Sequence, residues 1–275
     1  MRHFGLKVRM AIVGSILFAF YAVAAVVAMA YFGTGVLPIV LVGSVVLLVF
    51  QYKVGKWAAL RSVGAEDLPE DRYPEIHRSV ERICEDMNLE KPSLKIARMG
   101  VPNAFAVGRR GNGTVVVSEE LIQLLSHEEL EGVLAHELAH IDNRDVVMMV
   151  LGQGIASIVA IVAQYVVLLT GDNDLADFFL AIVVGQIVQM FVMLFVLAIS
   201  RYREYVADAD AARAIGQGDP LARALEKISQ GNQRASDSAV DEKVNALCIF
   251  GEGKGIARFL STHPPTEKRI ARLRE

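Results

Sequence analysis

The run His136-Glu137-Leu138-Ala139-His140 holds the residue types from which a metal-dependent hydrolase can be built. Helix positions four apart share one face, so on a helix the two imidazoles project side by side. Two nitrogen donors at that spacing suit a single tetrahedral Zn2+. Glu137 sits beside them, placed to act on water at the ion. A catalytic zinc site usually takes three protein ligands and keeps one position open. The third ligand is expected away from this helix, and residues 200–208, Ser-Arg-Tyr-Arg-Glu-Tyr-Val-Ala-Asp, offer the best candidates. Glu204 and Asp208 are again one turn apart. One can ligate the metal while the other accepts the free N–H of a ligand histidine. Spacing alone leaves open which does which.

These residues need a scaffold, and the flanking sequence supplies one. Ser126 and Glu129 form a capping-box pattern that opens the helix. Leu130, Val133, Leu134, Leu138 and Ile141 give it an apolar face. Residues 74–88 predict a second amphipathic helix, with Ile76, Val80, Ile83 and Met87 on one stripe. Residues 94–98, 104–108 and 114–118 read as short strands. Gly111-Asn112-Gly113 is the expected hairpin turn between the last two. Residues 266–274 predict a final helix.

Four apolar runs interrupt this polar chain, at residues 10–32, 36–50, 146–170 and 178–200. About 20 apolar residues cross a bilayer core. The first, third and fourth runs meet that length, and Gln51 and Tyr52 extend the second to the interface. The first run is too long for a cleaved signal peptide, and another follows almost at once. Buried core helices are the competing reading of the third and fourth runs, because Gln153, Gln164, Gln186 and Gln189 lie within them. Arg2, Lys7, Arg9, Lys53, Lys56, Arg61, Arg144, Arg201 and Arg203 all lie on one side of the runs. The two short loops opposite carry no Lys or Arg, and the second holds Asp172, Asp174 and Asp177. This asymmetry predicts two membrane hairpins with both termini and the polar part cytoplasmic. The expected organisation is an N-terminal hairpin at 1–52, a polar domain split between 53–145 and 201–275, and a second hairpin at 146–200.

The formal net charge of −3 excludes the basic footprint of a nucleic-acid binder. Cys84 and Cys248 form no Cys-x-x-Cys pair, so they predict reduced thiols and neither a disulfide framework nor a thiolate metal site. Nor is Gly108-Arg109-Arg110-Gly111-Asn112-Gly113 a phosphate loop, since it lacks the Gly-Lys-Ser/Thr ending.

Several motifs in order give the chain a recognisable likeness. Two apolar runs precede Asn103-Ala104-Phe105-Ala106, then comes His136-Glu137-Leu138-Ala139-His140. Two more runs follow, then Ser200-Arg201-Tyr202-Arg203-Glu204 with Ala207-Asp208, and last Thr262-His263-Pro264-Pro265. Over nearly its whole length the chain resembles the HtpX family of membrane-bound heat-shock proteases, relatives of the CAAX prenyl endopeptidases. The resemblance implies a mainly α membrane protein, with two transmembrane hairpins and a zincin-type α+β metallopeptidase domain containing a small β-sheet. It implies one Zn2+ per chain on His136, His140 and Glu204, with Glu137 as general base and then acid, and Asp208 behind a ligand. Asn103, Ala104 and Phe105 would belong to an edge strand that pairs with extended substrate. His263 would stand near the active site, and His263 or Arg203 would help the oxyanion.

The expected activity is zinc-dependent hydrolysis of peptide bonds in misfolded or membrane proteins, a quality-control and stress-response role at the cytoplasmic membrane. A non-proteolytic membrane scaffold of the same fold is the main alternative, and Glu137 argues against it. A channel or transporter would place charges inside the spans, and the runs contain none. A structural zinc site would favour four closed ligands, often cysteines. His3, His77 and His127 read as surface residues.

Overall fold

A computed structural model describes residues 4–172, 174–236 and 264–275. In chain order its elements are α1 (Phe4–Phe32), α2 (Val36–Ser62), β1 (Glu66–Asp67), α3 (Pro74–Met87), β2 (Ser93–Ala97), β3 (Ala104–Arg109), β4 (Asn112–Ser118), α4 (Glu119–Leu124), α5 (His127–Asp142), α6 (Asp145–Thr170), α7 (Leu175–Ala214), α8 (Asp219–Ser236) and α9 (Thr266–Leu273). Among the described residues four helices, α1, α2, α6 and α7, are long and apolar enough to cross a membrane. The chain is mainly helical, with a small mixed sheet. The residues separate into two compact units, Met1–Val54 with Met148–Ser200 and Gly55–Val147 with Arg201–Glu275.

In the first unit α1, α6 and α7 meet around Leu17, Ala156, Val192 and Val196. A Cβ added to Gly152 would come within 2.7 Å of Val196 Cγ2. Small residues of this kind let helices approach closely in lipid, where no hydrophobic force drives them together. Large apolar side chains such as Phe18, Ile39 and Leu175 point outward, a surface suited to hydrocarbon rather than water. Two helices outrun their apolar runs. α2 continues to Ser62, and the 40 residues of α7 would extend about 60 Å at 1.5 Å per residue. The reason is local, since Lys53, Lys56, Arg201 and Arg203 stop an apolar run without breaking a helix.

In the second unit the strands lie in the order β1-β2-β4-β3. β1 and β3 run antiparallel to their neighbours, while β2 and β4 are parallel. The two-residue strand β1 has no counterpart in the strand pattern of the sequence, because two charged residues carry no alternation. The hairpin turn is also displaced. Arg109 pairs with Asn112, so the turn residues are Arg110 and Gly111, and Asn112 and Gly113 belong to β4. Gly111 takes a φ of +76°, the left-handed conformation that glycine adopts without a Cβ penalty.

One face of the sheet packs with α3, α5 and α8 in the main core, through Ala104, Val115 and Val117. The other face buries Phe105, Val107 and Val116 beneath Ala59 and Leu60 of α2. The amphipathic stripe expected of 74–88 is all buried, and Asn88 ends α3 with a φ of 53°. His77, expected at the surface, is instead buried, with Nε2 3.0 Å from the Leu68 carbonyl. Cys84 is a buried free thiol, and burial pushes its pKa up to about 11. Cys248 lies outside the described residues.

α5 runs through this core. Ser126 caps it, and the capping box with Glu129 is complete. α8 crosses it closely: a Cβ at Gly132 would lie 2.9 Å from the Leu221 backbone nitrogen and 3.1 Å from its Cα. Backbone cannot swing aside as a side-chain tip can. Gly132→Ala is therefore expected to cost about 1–3 kcal/mol, read as a lower melting temperature of the purified protein. An unchanged melting temperature would mean that α5 and α8 do not pack in this way.

Candidate metal centre

His136 and His140 project from one face of α5 toward Glu204 of α7. One donor atom from each of the three lies within 4.8 Å of the other two. The ring Nε2 atoms are 3.0 Å apart. Glu204 approaches from the side, with Oε2 3.6 Å from His136 Nε2 and Oε1 3.6 Å from His140 Nε2. Nitrogens bound at about 2.0–2.1 Å to one tetrahedral ion stand roughly 3.3 Å apart, so the set has the spread a single ion requires.

The far side of each ring agrees. His140 Nδ1 is 2.6 Å from Asp145 Oδ2. His136 Nδ1 is 3.0 Å from Asp208 Oδ1, although not in line for a straight hydrogen bond. Each ring thus turns Nδ1 to a carboxylate and Nε2 to the shared space, the arrangement that sets tautomer and basicity in metal-bound histidines.

Behind each carboxylate lies a buried arginine. Arg203 Nε donates to Asp145 Oδ1 at 2.7 Å, and Nη2 contacts the same oxygen. Arg269 of α9 grips Asp208 with two bonds, Nε to Oδ2 at 2.9 Å and Nη2 to Oδ1 at 2.7 Å. Its Nη1 is also 3.2 Å from Glu204 Oε2. Arg269 is only 1% exposed. Glu137, on α5 beside His136, is also buried. With neutral imidazoles, the carboxylates of Glu137, Asp145, Glu204 and Asp208 against two guanidiniums leave two negative formal charges. A divalent cation would neutralise them.

Two of these groups are not evident from the sequence. On an unbroken helix Asp145, five residues after His140, would point well away from it. The chain breaks instead between α5 and α6, where Arg144 takes a φ of 57°, and Asp145 turns back to the ring. Arg269 leaves one trace, a lone arginine on the stripe of α9 shared with Thr266, Ile270 and Leu273. Arg203 faces Asp145, which places its guanidinium behind a ligand. Asn103 is buried. Its amide donates to Ser118 Oγ at 2.9 Å, and its carbonyl accepts from the Ser118 amide at 2.9 Å. Ladder bonds alternate along an antiparallel pair, so the backbone groups of Ala104 and Ala106 face the outer edge of β3. Among the described residues no strand covers that edge. Phe105 turns its ring into the second core. His263 lies outside the described residues.

The pattern of one peptidase family, described as Peptidase family M48, matches residues 70–275. The chain belongs to peptidase family M48. It is 65% identical over 288 residues to a "Protease HtpX homolog" of Halobacterium salinarum, covering 96% of this chain and 100% of that one. It is 37% identical over 236 residues to a "Protease HtpX homolog" of Gemmatimonas aurantiaca, covering 82% and 83%. Among solved structures, Ste24p of S. mikatae shares the fold with a TM-score of 0.60 at 20% identity. That alignment covers 97% of this chain and 63% of the Ste24p chain, so the chain spans under two thirds of that protein's length. This M48 peptidase is a multi-pass membrane metalloprotease.

Burial and Arg269 push the His136 pKa down, but Asp208 and Glu204 outweigh them and raise it to about 9. His140 is raised as well: burial and His136 oppose its proton, and Asp145 and Glu204 prevail. A raised histidine stabilises the metal-free fold fully below its unfolded pKa of about 6.5, and that stability is lost as pH climbs toward 9. A metal must displace the same protons, so affinity rises over the same window. The gap in melting temperature between metal-loaded and chelator-stripped protein is therefore expected to widen from pH 6.5 to 9. A constant gap would mean that the histidines bind no extra proton.

Proposed function

We propose that this chain is a zinc-dependent endopeptidase that cleaves misfolded or membrane-associated proteins at the cytoplasmic membrane face. The observation that carries the reading is the convergence of His136, His140 and Glu204, with both Nδ1 atoms turned to carboxylates. Two imidazoles and one carboxylate are a donor set of catalytic zinc, and the two-charge deficit suits a divalent ion. Zinc held there supplies Lewis acidity toward water and the scissile carbonyl.

The protein's own groups supply the rest. Glu137 takes a proton from the attacking water as its oxygen adds to the carbonyl carbon. It then delivers that proton to the amide nitrogen as the C–N bond breaks, leaving an amine and a carboxylic acid, and the acid's remaining proton passes to the amine to give carboxylate and ammonium. The outer edge of β3, through the backbone of Ala104 and Ala106, would pair with an extended substrate and hold its peptide plane steady. Asp145, Asp208 and the arginines behind them hold the imidazoles in register.

The substrate class and the membrane face rest on sequence. Basic residues gather on the side of the runs that carries the polar unit, as on cytoplasmic faces. Glu204 follows the fourth apolar run by four residues, and His140 precedes the third by six. Protein segments at the membrane surface are the targets nearest to such a site, in keeping with a quality-control role. Purified protein in detergent, loaded with zinc, is expected to cleave casein. Glu137→Gln is expected to keep its zinc and lose about 10²–10⁴-fold in rate. Zinc bound by both proteins with no cleavage by either would overturn the enzymatic reading.

A further inference from the structure

Each ligand histidine is backed by an aspartate, and each aspartate by a buried arginine, so the centre has two matching arms. One arm, His140–Asp145–Arg203, is built from the end of α5, the start of α6 and the later part of α7. The other, His136–Asp208–Arg269, reaches across to α9. We propose that Arg269 is a positioning residue for the metal centre. By gripping Asp208 it fixes the His136 ring, and so makes metal affinity depend on the seating of α9. This rests on the zinc-peptidase reading above.

Three observations carry the proposal. First, Arg269 occupies a place that apolar packing would not give it. Its neighbours on the stripe are Thr266, Ile270 and Leu273, and Ile270 and Leu273 pack against the main core. A buried guanidinium is costly unless matched, and among the described residues the matches are groups of the centre. Asp208 takes two bonds, and Glu204 lies 3.2 Å and His136 Nε2 3.3 Å away.

Second, the grip is bidentate, which fixes the rotation of the Asp208 carboxylate as well as its position. A carboxylate free to rotate would present Oδ1 to His136 Nδ1 only part of the time. Third, α9 has an independent attachment. Arg274, one residue past its end, pairs with Glu226 of α8 at 2.8 and 3.1 Å and with Asp219 at 3.3 Å, in an exposed position. Attachment to α8 therefore does not by itself require Arg269.

That second attachment makes the experiment decisive. Zinc affinity would be measured by chelator competition on full-length protein in detergent, for the native chain, Arg269→Lys, Arg269→Met with Asp208→Asn, Asp208→Asn alone, and Arg274→Ala. The Co2+-loaded forms would be compared by visible absorption, which reports ligand geometry rather than stability. Lysine keeps the charge but cannot make the two-pronged contact. Arg269→Lys is expected to lower zinc affinity about 10–100-fold, as loss of a group behind a ligand does, and to alter the Co2+ spectrum. Arg274→Ala is expected to stay within about threefold and keep the native spectrum. The double variant removes the Arg269 and Asp208 charges together, leaves no orphaned carboxylate at position 208, and keeps the test open if Arg269→Lys folds poorly. It is expected to bind zinc no more weakly than Asp208→Asn, because Arg269 acts through Asp208.

Native affinity and spectrum in Arg269→Lys would overturn the proposal, as would an equal loss in Arg274→Ala or additive losses in the double variant. If the native chain itself binds no zinc, the zinc-peptidase reading fails first. If it binds zinc and Arg269→Lys matches it in affinity and spectrum, the positioning role alone fails.

Discussion

An imidazole holds a metal well only when its other nitrogen is engaged, since an unanchored ring can turn and a ring with the wrong tautomer has no lone pair to give. That requirement organises the polar unit. It sets an aspartate behind each of His136 and His140, and the aspartates, being buried, need cations of their own. Arg203 and Arg269 meet the need. Four separated stretches of chain are thereby drawn to one point: α5, the first residue of α6, the last part of α7, and α9. The apolar core holds these elements at their distances, and the charge pattern fixes their side chains.

The same logic explains an unusual break in the chain. A helix running unbroken from α5 into α6 would be the simplest solution for residues 127–170, since both halves are good helix formers. The chain instead stops at Asn143 and Arg144, and Arg144 accepts a backbone conformation that few side chains adopt. The strain lies one residue before a ligand-supporting carboxylate, that of Asp145. Such strain persists where surrounding structure repays it, and here the return is the bond between Asp145 and His140.

Much of this was legible from residue types and spacing, and the limits have physical causes. The α5 segment announced itself through its cap, its apolar stripe and the two histidines one turn apart. The apolar runs showed which helices are long enough to cross a membrane, because lipid demands continuous apolar length. The same local spacing marked His136 and His140 and narrowed the third donor to Glu204 or Asp208, and the family resemblance chose Glu204. What stayed hidden depends on tertiary return of the chain. Asp145 needs a helix break that no glycine or proline marks. Arg269 stands 61 residues beyond Asp208, a separation with no periodicity to read. β1 is two residues long, and its pairing comes from the neighbouring strand rather than from its own pattern. The turn between β3 and β4 fell one residue early because three small or polar residues in a row offered more than one place to reverse.

The reach of the centre through the sequence has a kinetic side. His136 and Arg269 are 133 positions apart, and contacts of such separation repay their loop-closure cost only after most of the chain is in place. The hydrolytic centre should then be among the last features to mature as the chain folds. A half-folded molecule would carry the two histidines on their helix without the groups that steady them. Activity becomes a property of finished molecules alone. For a protein-cutting enzyme that is a form of self-restraint: its own immature copies lack the means to attack their neighbours.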